Sequence, residues 1–390
     1  MDKLAISTAT PWRHRYVVVY LALFFGFALR IGLCRDPSTG YSSLILFGDL
    51  FQARRLPQLS QVPLHTLRHS AGYDGEFYAQ LAVAGNPFDP GLRQALDAPA
   101  YRSQRILLPL AAHGVGLGRP AWIIQVYALS NLFCFIILAG LLARWWFPPT
   151  SFNHLIRWVG TLFGAGMVMS VTRSLTDGPA LMVLAIGMRF VENKRQILGA
   201  TILAAAGLVR DTSILSAVTL APFERPTRRW YGAFLAVFIC VAPTLLWAAI
   251  LSHHYGGSGG VAHNFGMPLV GVAKKLGEIY RHACTTRFDF YTCNESLALI
   301  AVATQAGFML SRFRPDLVWW RLGVTFTVLL LCLAWPVWEG APTAMSRAVL
   351  PLTFAFNVLV PNTRRFWVVL LLGNLSVLSI VDIVRSIPTY

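Results

Sequence analysis

Charge is what this chain has least of. Only 13% of its residues are charged, about half of the ~25% usual in soluble domains. Acidic residues are the scarcer kind: 17 Asp and Glu stand against 33 Lys and Arg, for a net charge of +16. So little polarity, with 55% hydrophobic residues, excludes an ordinary water-soluble domain. Cysteine is sparse as well, with six in the chain and no metal-ligand spacing among them. Cys34, Cys134, Cys240 and Cys332 lie in or beside apolar runs and read as packing residues. Cys284 and Cys293 share one loop and could pair if that loop faces an oxidising compartment.

Several motifs are missing too. There is no Walker motif, no dinucleotide fingerprint, no Ser-His-Asp ordering and no visible site for a soluble nucleotide-sugar. His65 and His69 have a chelating i, i+4 spacing, but Pro63 and the lack of a metalloprotease pattern weigh against a metal there. No repeat period and no half-to-half symmetry of the transporter kind emerges. The excess of basic residues follows the positive-inside rule, since it clusters between apolar runs, so nucleic acid is not implied. The remainder points to membrane lipids or a phosphate-bearing substrate.

What the chain does have is apolar runs of near-spanning length. They read as one integral membrane domain over residues 1–390, all-α and polytopic. Tyr16–Cys34 is the first span; it is long and lacks a small-residue cleavage site, so a retained helix is expected rather than a signal peptide. Further spans are expected at Pro120–Leu142, Leu155–Ser170, Pro179–Val191, Ile197–Val209, Thr212–Phe223, Trp230–Leu251, Ser296–Leu310, Trp319–Trp338, Ala344–Val360 and Phe366–Ile383. That makes about eleven transmembrane helices, with the N-terminus in the cytoplasm. Residues 35–119 form a long first outer loop and 253–295 a second. In the first, residues 44–51 and Gly75–Ala84 are expected as amphipathic interfacial helices, with Asp74 capping the latter. Arg105–Gly118 is too short to span and reads as re-entrant or interfacial.

On this topology the charges left unexplained by cytoplasmic flanks fall on the outer side: Asp49, Asp74, Glu76, Arg105, Asp177, Arg210, Asp211, Glu339 and Arg347. Ionisable groups in the membrane zone are costly and are usually paired or functional. Asp74 is the candidate general base, because a carboxylate can take a proton from an attacking hydroxyl. Arg105, Arg210 and Arg347 are candidates for a phosphate clamp, their planar forks suiting phosphate oxygens. Against this, Arg210 could simply pair with Asp177, and Asp49 with Arg54 and Arg55. Glu76, two residues beyond Asp74 on a helix, would point elsewhere.

The string Gly72-Tyr73-Asp74-Gly75-Glu76-Phe77-Tyr78, after one span and within a long outer loop, resembles the first-loop motif of the GT-C superfamily of membrane glycosyltransferases. It is similar to the GPI-mannosyltransferase-II-like branch and, with Tyr101-Arg102-Ser103-Gln104-Arg105-Ile106-Leu107-Leu108-Pro109, to a bacterial group of cell-surface glycopolymer formation proteins. Ser174–Gly178, Gly207–Asp211 and Ser346–Pro351 agree more loosely. The resemblance implies a polyprenyl-phosphate-linked sugar as donor, a glycan or lipid acceptor on the outer face of a bacterial inner membrane, and inverting transfer. It implies Asp74 as the catalytic acid residue, with Tyr73, Glu76, Tyr78, Arg102, Arg105, Asp177, Arg210, Asp211, Arg347 and Asp49 around the substrate. It names no cofactor and leaves a divalent metal open. Tyr73 stands where the mannosyltransferase branch has Trp, so the sugar is open too. Two alternatives fit the same residues: a transporter or flippase of a lipid-linked or anionic substrate, and a polysaccharide polymerase or ligase.

Overall fold

The computed structural model describes residues 11–222, 229–257, 264–285, 289–339 and 344–385. The basic residues Lys3, Arg225, Arg228 and Arg287, His263, and the 258–260 part of the glycine run lie outside that set. Among the described residues the fold is all-α apart from one pair of two-residue strands.

Helix α1 (Pro11–Gly32) is followed by an irregular segment. There β1 (Phe47–Gly48) runs parallel to β2 (Thr66–Leu67), and Asp49–Arg54 winds as a 3-10 turn. The amphipathic helix expected at 44–51 is therefore absent. Its backbone is drawn into longer-range bonds instead: the Gly48 amide donates to Glu76 at 2.8 Å, and the Asp49 carboxylate accepts the amides of His69 and Ser70.

Helix α2 (Asp74–Ala84) forms where its pattern places it and stops at Gly85, whose φ of 65° is the left-handed conformation favoured at a helix end. It is not interfacial: every residue from Gly75 to Val83 is buried. Its two internal polar side chains are satisfied within the protein. Glu76 pairs with Arg55, and Gln80 bridges the Leu56 amide and the Ala95 carbonyl. Phe77, Tyr78 and Leu81 join Phe47, Ile123 and Tyr127 in a compact apolar cluster, each buried side chain contributing about 1.5–3 kcal/mol. The short helices α3 (Leu92–Ala95), α4 (Pro99–Arg102) and α5 (Leu107–Val115) complete the segment. At nine residues, α5 is far short of a bilayer span, as expected.

The remaining helices are α6 (Pro120–Trp145), α7 (Phe152–Leu162), α8 (Ala165–Thr172), α9 (Asp177–Glu192), α10 (Gln196–Val209), α11 (Arg229–Tyr255) and α12 (Val270–Thr285). They continue with α13 (Phe290–Leu310), α14 (Val318–Cys332), α15 (Trp335–Trp338), α16 (Ala344–Ala348), α17 (Leu350–Leu359), α18 (Trp367–Leu372) and α19 (Ile380–Arg385). Among the described residues, four stretches are long and apolar enough to cross a membrane: His14–Gly32, Pro120–Trp145, Trp230–Tyr255 and Thr292–Leu310. A fifth joins if α7 and α8, bent by 47°, count as one.

Elsewhere the expected spans are broken, and local chemistry says why. Residues 211–220 form a 3-10 stretch rather than an α-helix, with the Ser216 hydroxyl donating to the Ser213 carbonyl and the Thr219 hydroxyl to the Ser216 carbonyl. The run expected at Trp319–Trp338 leaves the helix after Cys332, where Gly266 and Ala334 amides bond to Cys332 and Asn264 carbonyls across a bridge between Phe265 and Leu333. The 366–383 run splits at Asn374, whose side chain bonds reciprocally with Asn357.

Polar contacts between distant elements gather at two opposite ends of the helices. At one end Trp146 and Trp319 both donate to Glu192, Arg157 donates to the carbonyls of Asn357 and Val360, and Arg321 to that of Ala221. At the other end the first irregular segment meets the ends of α8, α10 and α11 and the start of α16.

Candidate active site

Tyr73 enters α2 in extended backbone, held by its amide bond to the Leu46 carbonyl. Gly72 before it has φ +70°, and a side chain there would collide with Glu76 and the Gly48 amide. Gly75 is equally constrained, because a Cβ would lie 2.5 Å from the Arg173 carbonyl oxygen and 2.9 Å from that of Ile45. The two glycines let the first turn of α2 press against the loop after α8, which aims Asp74 inward.

Asp74 is the first helical residue, not the cap: no side-chain capping bond is made at Tyr73, and the carboxylate is turned to two guanidiniums instead. Arg102 lies 2.9 Å from one oxygen and Arg347 3.0 Å from the other. Charge-assisted pairs of this kind are stronger than the amide bonds of a cap, which explains the departure. Arg102 is itself shared with Asp97 at 2.7 Å. Arg105 reaches Asp211 at 2.8 Å and the hydroxyls of Tyr78 and Tyr101. Arg210 is paired with Asp177, so the simpler role considered for it is realised. Two cations contact the Tyr73 ring, Arg173 at 4.6 Å and Arg347 at 5.2 Å from its centre.

These pairings set the charge states. Burial pushes the Asp74 carboxyl upward, but Arg102, Arg347 and Arg105 outweigh it and hold the group well below the usual carboxylate range. Burial opposes the charges of Arg102 and Arg105 as well. It is overcome, for Arg102 mainly by Asp74 and for Arg105 mainly by Asp211, so both stay fully charged.

Tyr73, Asp74, Arg102, Arg105, Arg210, Asp211 and Arg347 line one cavity of about 320 Å³, with Tyr101, Glu339 and Asn264. Tyr78 lies beneath it and Asp177 behind Arg210. The expected convergence of acids and arginines from distant segments is thus a feature of the fold. A second, apolar cavity of about 660 Å³ runs between α11 and α14 past Leu245, Ala248 and Val328. The two share Asp211, Thr212, Phe265 and Leu329 in their walls.

Two expected residues lie elsewhere. Glu76 points to the far side of α2, is completely buried, and ties Arg55 and the Gly48 amide. Asp49 pins the turn at His69 and Ser70; the ion pair considered for it is not made, because Arg55 is taken by Glu76. Cys284 and Cys293 are free thiols. Among the described residues no group of three His, Cys, Asp or Glu could hold a metal, and the guanidiniums occupy Asp74 and Asp211, so the cavity offers no divalent-ion ligand set. Arg173 and Asp97 are the residues that sequence reasoning passed over. Arg173 did carry a signal, as a cation at the outer end of an apolar run, where the positive-inside rule does not expect one. Comparison with protein-family models, characterised proteins and solved structures finds no match for this chain.

Proposed function

We propose that this protein is a GT-C-like inverting glycosyltransferase that takes a sugar from a polyprenyl-phosphate donor and transfers it to a glycan or lipid acceptor. The observation that carries the reading is the adjoining pair of cavities: a pocket bearing four arginines and Asp74 shares walls with an apolar groove. A polyprenyl phosphate has the same two parts, an anionic head and an apolar tail. The short apolar helices α10, α14 and α17, the bent α7–α8 pair, α9, the 211–220 stretch and the 366–383 run serve as further crossings beside the four long helices, giving about eleven in all. The site then faces the outside of a bacterial inner membrane.

In the reaction, Asp74 removes the proton from the acceptor hydroxyl as its oxygen attacks the anomeric carbon. The bond from that carbon to the phosphate oxygen breaks, and the lipid phosphate leaves with the electron pair. Arginines around the pocket stabilise the charge that accumulates on it. Arg102 and Arg347, which hold Asp74, are the groups a donor phosphate would recruit. Recruiting them frees the carboxylate and raises its basicity, as a base at neutral pH requires. No divalent metal is assigned a step.

The test is Asp74→Asn in cells, with protein level, surface glycan and lipid-linked sugars measured together. Normal protein level, lost surface modification and accumulated donor are expected. Intact surface glycan would refute the catalytic assignment. Loss of surface glycan with donor trapped on the cytoplasmic leaflet would favour a flippase.

A further inference from the structure

Helix α12 takes no part in the pocket, yet its outer surface has a definite chemistry. Its inner face is closed: Gly271 packs against Trp338, and Lys275 is buried with its amine 2.9 Å from Glu278 and 3.1 Å from Glu295 on α13. That buried cluster fastens α12 across the start of α13, while other contacts seat it on α14 and α15. These contacts fall near the start of α13, at Glu295, and at the end of α14, at Leu331 and Leu333, so α12 sits at the ends of two apolar helices.

The outer face carries Ala273, Leu276 and Tyr280, all exposed, Leu276 at 53% and Tyr280 at 71%. Spacings of three and four residues place these side chains on one stripe. The stripe extends back to Met267, Leu269 and Val270, exposed at 75%, 56% and 46%. Lys274 and Arg281, seven residues apart, form the neighbouring stripe, also exposed. Among the described residues no carboxylate pairs with either, whereas Lys275 on the inner side is doubly paired. An apolar stripe edged by unpaired cations, on a helix at the ends of apolar helices, matches one surface in charge and polarity: an anionic bilayer interface.

We propose that α12 is an interfacial anchor, with Leu276 and Tyr280 in the upper acyl region and Lys274 and Arg281 on lipid phosphates. This requires membrane insertion only, and holds whatever reaction the pocket performs. The experiment uses the full chain in nanodiscs of phosphatidylcholine, with and without phosphatidylglycerol. A fluorophore sits at Leu276→Cys in a chain whose exposed Cys284 and part-exposed Cys293 and Cys332 are replaced by Ser. Stronger quenching by acyl-chain nitroxides than by an aqueous nickel chelate is expected at 276, and phosphatidylglycerol should increase the difference. Lys274→Glu with Arg281→Glu should abolish that increase. Dominant nickel quenching in both lipids would overturn the proposal. So would protection from both quenchers that appears only when the discs hold two copies, since a second chain would then cover the face. Should the charge-reversed variant fail to fold, the lipid comparison on the unreversed chain still decides.

Discussion

Glu76→Gln is the sharpest test of how the site is built, because Glu76 stands only two residues from Asp74 and should behave oppositely. Glu76 is fully buried, its partner Arg55 is 8% exposed, and their contact is 2.9 Å. Its second oxygen accepts the Gly48 amide at 2.8 Å, and Arg55 also reaches the Gly48 carbonyl at 2.7 Å. A glutamine must present its NH₂ to one of two donors, leaving a buried guanidinium without its counter-charge. Breaking a buried pair on one side costs about 3–5 kcal/mol, a large part of the ~5–15 kcal/mol that holds a typical domain together. The assay is thermal unfolding in detergent, followed by tryptophan fluorescence. A fall in midpoint of several degrees is expected, with any loss of activity explained by loss of folded protein. Replacing both partners, as Arg55→Leu with Glu76→Leu, should recover much of it. A Glu76→Gln protein with the unaltered midpoint and abolished activity would refute the structural role and return Glu76 to the site.

Three further outcomes are expected. Gly75→Ala should destabilise by about 1–3 kcal/mol, since its methyl would meet backbone oxygens at 2.5 and 2.9 Å that cannot swing away; the thermal midpoint reads it. Asp74 is held below its unfolded pKa, so its stabilising pairs are complete above pH ~4 and weaken as pH falls below the ordinary carboxylate range. The midpoint gap between the unaltered protein and Asp74→Asn should be flat from pH ~5 to ~8 and narrow in acid. Ala248→Trp, in the wall of the apolar groove, should weaken binding of a long polyprenyl phosphate while sparing inorganic phosphate; equal weakening of both would detach the groove from the donor site.

The long apolar runs were readable because a spanning helix is written in twenty consecutive residues. α1, α6, α11 and α13 correspond to such runs. The broken elements were not, because the partners that end them are remote: Asn264 and Phe265 for α14, Asn357 for the run after Phe366. The site divides the same way. Asp74 was found from its glycine-flanked setting, and its grouping with Arg105, Asp211 and Arg347 from side-of-membrane reasoning. Which acid pairs with which arginine could not be read, since Arg347 lies 273 residues from Asp74. Asp49 and Glu76 were placed with the substrate by the family resemblance, whereas the two-residue spacing from Asp74 had already turned Glu76 elsewhere, as found.

The most direct measurement compares the purified unaltered protein with Asp74→Asn for both donor binding and sugar transfer. Removing the carboxylate releases Arg102 and Arg347 to a phosphate, so affinity for polyprenyl phosphate should be kept or raised. Transfer should fall by about 10²–10⁴-fold, the range for losing a general base. Undiminished transfer by Asp74→Asn, or loss of polyprenyl-phosphate binding in a folded variant, would contradict a catalytic Asp74 poised between phosphate-binding arginines.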